Sequence, residues 1–200
     1  MSYIEHLQKD KKLGVVLSRE LPELKCRKNI ALRLMASIMS QQLSSKVAEV
    51  IYRRFLTLFG DKEPTAEQVL SIPKETYRSI GLSNAKAAYI HNVAIFCIEQ
   101  KISDKKLKAM SNDDIIVLFT QIKGVGKWTV EMLLMFTLGR EDIFPVDDLG
   151  IQNAMSKLYN LDMVDRKKLK EKMLKLSDKW KPYRTYACLH LWKMLDSVQV

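Results

Sequence analysis

Apolar residues recur at three- and four-residue steps along almost the whole chain, and no stretch shows the period-two alternation that a half-buried strand requires. Ile30, Leu34 and Ile38 follow this spacing, as do Val47, Val50, Ile51, Phe55 and Leu58, and again Ala85, Ala88, Tyr89, Val93 and Phe96. No Asn-Gly or Asp-Gly pair joins two apolar runs as a hairpin turn would. The pattern predicts an all-α fold. Gly60, Pro64, Pro73 and Gly81 punctuate short helices, with Thr65 and Asn84 placed as N-caps. Asn112 is placed to cap a helix running to about Gln121, and a helix from about Lys127 to Leu138 is apolar almost all round, which predicts a central, buried element. The segment DIFPV reads as extended, and helices are expected to resume near Asp148, from about Asp165 to Lys179 and from Pro182 to about Leu195.

The 200 residues are 47% apolar with only 7 Gly and 5 Pro, which excludes a disordered or collagen-like chain. This length suits one domain or two closely packed lobes, and folding at this size buries roughly 70% of the unfolded chain's surface. Cys26, Cys97 and Cys188 are too scattered for a disulfide framework and read as core thiols; His6, His91 and His190 lack metal-ligand spacing, and His190 reads as structural. No metal is expected. The N-terminus lacks an apolar signal core, and the longest apolar stretch, Val130 to Leu138, is broken by Glu131 and far short of a span, so a cytoplasmic chain with no membrane partner is expected. Against 23 Asp and Glu stand 33 Lys and Arg, a net charge of +10, which favours a polyanionic partner, nucleic acid first among them. The basic residues crowded into 161–184 read instead as the solvated face of an amphipathic helix.

Two segments carry chemistry. In IKGVGKW, Ile122 to Trp128, two glycines between helices permit positive φ and keep side chains clear, so that the amides of the turn and of the next helix can point outward together. Such a turn suits an anion, with Lys123 and Lys127 supplementing the helix dipole. In FPVDDLGI, Phe144 to Ile151, Pro145 delays helix formation and sets Asp147 and Asp148 at a helix N-terminus. Capping explains one aspartate, and the second has a less obvious purpose.

The order GVGKWT and then, about twenty residues on, FPVDDLGI resembles the helix-hairpin-helix superfamily of DNA glycosylases. Within it, WKPYRTYACLHLW, Trp180 to Trp192, is similar to the alkylation-repair branch, 3-methyladenine DNA glycosylase II, and SIMSQQLSSKVA, Ser37 to Ala48, is similar to the helix that carries the residue entering the DNA. The resemblance spans roughly residues 30–195. It implies a single compact catalytic domain over residues 1–200 with a two-lobed all-α fold and a cleft between lobes: one lobe of about 26–140 including the hairpin, the other of about 1–25 with 141–200.

The implied reaction is hydrolysis of the N-glycosidic bond of an alkylated purine flipped out of double-stranded DNA, the first step of base excision repair, by an enzyme acting as a monomer. Registering Ile151 three positions after the superfamily aspartate selects Asp148 as catalytic and leaves Asp147 as cap or structural partner. The hairpin that binds DNA comprises Lys123, Gly124, Val125, Gly126, Lys127 and Thr129; Trp128 and Trp192 are expected to stack on the base, with Met132 where relatives often carry another aromatic. Tyr183 and Tyr186 read as packing residues. Gln41, Gln42 and Leu43 are the wedge candidates that would fill the hole left by a flipped base. Trp128 stands where strand-cleaving relatives use a lysine, so a hydrolase without lyase activity is expected, and no cluster-binding cysteines are present. No cofactor is called for, and a monovalent cation on hairpin backbone carbonyls is left open. The alternatives are a non-catalytic module that binds distorted DNA and a glycosylase for another damaged base.

Overall fold

A computed structural model describes residues 2–17 and 21–196 of the chain; residues 1, 18–20 and 197–200 of the two-ended lobe expected from sequence lie outside the described residues. The described residues form α-helices and no strand: α1 (Tyr3–Leu7), α2 (Lys11–Gly14), α3 (Ile30–Ser40), α4 (Ser45–Thr57), α5 (Ala66–Ser71), α6 (Lys74–Ser79), α7 (Asn84–Glu99), α8 (Asp104–Ala109), α9 (Asn112–Thr120), α10 (Lys127–Phe136), α11 (Leu149–Tyr159), α12 (Arg166–Ser177) and α13 (Arg184–Asp196). A 3-10 turn, Asp178–Trp180, follows α12. The chain divides into two compact units, Cys26–Leu138 and Met1–Lys25 together with Gly139–Val200.

In the Cys26–Leu138 unit, α3 packs against α4, α7 and α10, and α7 also packs against α5 and α6. Of the Ala85, Ala88, Tyr89, Val93 and Phe96 set read from the sequence, Val93 alone lies in the buried stripe of α7, which is Ala87, Ile90, His91, Val93, Ala94 and Cys97. A helix apolar on several faces does not announce which face is inward. The caps also sit one residue earlier than expected. Ser83 and Ser111, both extended, accept from Lys86 N and Asp114 N, so Asn84 and Asn112 are the first helical residues. Thr65 caps α5 and forms a capping box with Gln68. Asp104 closes the N-terminus of α3, accepting from Asn29 N at 2.8 Å and Ile30 N at 3.1 Å.

The second unit is centred on α11, which packs against α13, α12 and α2. Its N-terminal chain is tied in by Asp10, whose buried carboxylate accepts from the amides of Lys12 and Leu13, from Trp180 Nε1 at 2.9 Å and from the Tyr159 hydroxyl, and pairs with Lys179 at 2.9 Å. Burial alone would raise this carboxyl, but the hydrogen bonds from Tyr159, Lys179, Trp180 and Leu13 outweigh it and bring it down to about 2. His190 is wholly buried on α13, where burial and the nearby Lys193 charge push its imidazole down to about 4. Of the cysteines, Cys97 and Cys188 are buried and Cys26 is exposed, against the expectation of three core thiols. The basic helix α12 buries Leu169 and Met173 and leaves most of its lysines solvated.

Candidate functional site

The loop between α9 and α10 is built around Gly124. Its φ of +102° lies in the left-handed region, and a Cβ there would stand 2.1 Å from the Tyr89 ring. Asn92, one turn farther along α7, donates from Nδ2 to Lys123 O at 3.1 Å. Gly126 differs from the sequence expectation that both glycines serve positive φ: its φ is −90°, it precedes α10 without a side-chain cap, and a Cβ there would meet nothing within 4 Å. Its lack of a side chain leaves the first amides of α10 approachable from outside.

Two hairpin residues turn inward. Val125 and Thr129 are buried, and Thr129 Oγ1 accepts from Gln41 Nε2 at 3.1 Å, so Lys123, Gly126 and Lys127 make up the exposed part of the motif. Lys127 lies 3.5 Å from the buried Glu131 carboxylate. Gln41 thereby links the turn after α3 to the hairpin helix, and Lys86 Nζ closes the same turn by donating to Met39 O at 2.9 Å and Gln41 O at 2.6 Å. Next to it Gln42 adopts φ +59° and is exposed, as is Leu43. One face of α7, carrying Lys86, Tyr89 and Asn92, therefore supports both loops. Sequence reasoning missed all three residues, because each acts through a contact more than 30 positions away.

Helix α10 is not buried all round as expected. Thr129, Val130, Glu131, Leu133, Leu134 and Met135 face inward, whereas Trp128 and Phe136 are 37% and 43% exposed. Trp128, Met132 and Phe136, four residues apart, form one wall of an open cavity of about 420 Å³ completed by Arg33, Ser37 and Tyr52, among others. This volume is in the range of small-molecule sites.

Asp148 and Trp192 belong to the other unit. Asp148 caps α11, and its Oδ1 accepts from Ile151 N at 2.8 Å and from Trp192 Nε1 at 2.9 Å. The cap expected at Asp147 thus falls to Asp148; Asp147 is exposed and pairs with Lys170. Gly150 makes the arrangement possible, because a Cβ at this position would lie 2.9 Å from Trp192 Nε1 and 3.0 Å from Asp148 Oδ1. The chain leading to Asp148 is held by the start of α13: Arg184 grips the Asp142 carboxylate in two contacts of 2.6 and 2.9 Å, and Thr185 donates from N to Glu141 O and from Oγ1 to Arg140 O. Tyr186, stacked on Tyr3 at 4.0 Å, bonds Glu141. One helix therefore holds the segment at its beginning and, two turns later through Trp192, at its end. Among the described residues no group of His, Cys, Asp and Glu is arranged to hold a metal ion, and no helix is long and apolar enough to cross a membrane.

Residues 35–182 match the family model for the HhH-GPD superfamily of base excision DNA repair proteins, and the chain belongs to that family. It is 38% identical over 162 residues to DNA-3-methyladenine glycosylase 1 of Schizosaccharomyces pombe, covering 80% of this chain and 70% of that protein. It is 34% identical to a putative DNA-3-methyladenine glycosylase of Bacillus subtilis, with 82% of this chain and 58% of that protein covered. The structure of a 3-methyladenine DNA glycosylase of Schizosaccharomyces pombe in complex with abasic DNA superposes with a TM-score of 0.86 at 32% identity, over 98% of this chain and 97% of that one.

Proposed function

We propose that this protein is a monofunctional DNA glycosylase that releases alkylated purines of the 3-methyladenine and 7-methylguanine type from double-stranded DNA. The observation that carries the reading is the Asp148 carboxylate, fixed by Ile151 N–H and Trp192 Nε1–H at the head of α11. An alkylated purine is already cationic. The N-glycosidic bond breaks with its electron pair passing to the ring nitrogen, so the base leaves neutral and needs no strong acid. The charge that develops on the sugar is what a held carboxylate stabilises, and the water that then adds at the anomeric carbon gives up its proton to the carboxylate or to solvent.

The remaining parts supply binding. The amides at Gly126 and the start of α10, with Lys123 and Lys127, suit a DNA phosphate. Trp128 and Met132 line a cavity of sufficient size for a flipped base, where an aromatic face attracts a cationic ring by about 1–2 kcal/mol. Gln42 and Leu43 are the exposed members of the wedge trio, Gln41 being tied to Thr129. No lysine stands at the position of Trp128, so no Schiff base forms and the strand is left intact. The activity for which the relatives are named and the abasic DNA bound in the similar structure support this reading.

Base release from methylated duplex DNA tests it. We expect free 3-methyladenine or 7-methylguanine together with strands that break only on alkaline treatment. Release of neither base would overturn the proposal, and strand scission without alkali would overturn its monofunctional part.

A further inference from the structure

The cavity beside Trp128 has a polar end, and its chemistry is one-sided. Arg33 on α3 donates from Nη1 to the Tyr52 hydroxyl at 3.2 Å and pairs through Nη2 with the Glu63 carboxylate. Its Nε is buried away from solvent. The guanidinium is thus held in place with its charge balanced by Glu63, and Arg27, the other cation lining the cavity, is exposed, where solvent screens it. Because the Tyr52 oxygen accepts from Arg33, its own proton must point elsewhere, and no acceptor among the described residues takes it. Tyr52 lines the cavity with Ser37, Ser40, Trp128, Met132 and Phe136. Ser40 already directs its proton to Ser37 O at 2.9 Å. Accepting from a cation also makes a hydroxyl a better donor. Burial raises the Tyr52 hydroxyl above its ordinary value, which keeps it protonated.

We propose that Tyr52, positioned by Arg33 and Glu63, is a specificity-determining residue that donates a hydrogen bond to the exocyclic carbonyl of a flipped alkylated guanine. The corresponding adenine position carries an amine, which is itself a donor and would confront the Tyr52 proton. A buried donor left without an acceptor is costly, and sites that read a polar group discriminate on that basis. The inference rests on the glycosylase reading above, because it takes the cavity beside Trp128 as the seat of the base.

The test is the ratio of kcat/KM for 7-methylguanine to that for 3-methyladenine, measured on duplexes carrying each lesion, for the wild type, Tyr52→Phe and Arg33→Met. Phenylalanine keeps the ring and its contact with Phe55 at 6.4 Å, so Tyr52→Phe is expected to fold. We expect Tyr52→Phe to lower the ratio about tenfold and Arg33→Met to lower it in the same direction by a smaller factor. A loss of stability alone would reduce both rates together and leave the ratio where it was. An active wild type whose ratio stays within about twofold in Tyr52→Phe overturns this inference and leaves the glycosylase reading intact. A wild type that releases neither base overturns both.

Discussion

Trp192 Nε1 donates to Asp148 Oδ1 at 2.9 Å, across the bare Cα of Gly150. The indole therefore orients the carboxylate while the Ile151 amide anchors the same oxygen. Stacking on a base, the role the sequence suggested for Trp192, leaves this N–H unexplained, whereas positioning accounts for both it and Gly150. Trp192→Phe keeps an aromatic ring, smaller than the indole, and loses the donor. We expect kcat for base release to fall about tenfold, the size of one hydrogen bond to a charged group, with the melting temperature nearly unchanged. Equal losses in kcat and stability would indicate packing instead.

Gly150→Ala should act on the same contact from the other side. The added methyl would stand 2.9 Å from the indole nitrogen and 3.0 Å from the carboxylate oxygen, so one of them must move. Overpacking of this kind costs about 1–3 kcal/mol. Calorimetry should show that loss, and the residual activity should match Trp192→Phe.

The two hairpin glycines are expected to fail differently. Gly124→Ala combines a φ of +102° with a Cβ 2.1 Å from the Tyr89 ring, and should lose several kcal/mol of stability. Gly126→Ala has room and an ordinary φ, so its melting temperature should hold while DNA affinity drops across sequences, as a side chain intrudes on the amides. A Gly126→Ala variant with wild-type affinity would remove the hairpin from the DNA interface.

Asp10 makes stability depend on acid. Its carboxyl is lowered from 3.8 to about 2 in the folded chain, so its contribution of about 2 kcal/mol is fully present above pH about 4 and is lost as pH falls toward 2. Asp10→Asn should be less stable at neutral pH by that order and should lack this step in melts between pH 4 and 2. A wild-type melting curve identical to the variant's across that window would contradict the network.

Much of this was legible from local chemistry. Helical periodicity and the DIFPV interruption place the elements because each signal spans only a few residues, and the resemblance of GVGKWT and FPVDDLGI to the superfamily's motifs points to the loop at Gly124 and to Asp148. What the sequence hid is long-range. Lys86 capping α3, Tyr89 pressed on Gly124, Asn92 on Lys123 O and Arg33 bridging Tyr52 to Glu63 all depend on which faces meet. The apolar pattern of α10 overstates its burial for the same reason: apolar residues line a cavity as readily as a core, and Trp128, Met132 and Phe136 look alike in either setting.

In the proposed reaction Asp148 performs the chemistry, and single-turnover release of 7-methylguanine by Asp148→Asn probes that role. Asparagine also caps helices well, so α11 should remain formed and DNA binding should persist. We predict a fall in the rate of at least about a hundredfold, the scale of removing a preorganised charge from a transition state. A folded, DNA-binding Asp148→Asn variant that releases base at the wild-type rate would exclude Asp148 from the chemistry.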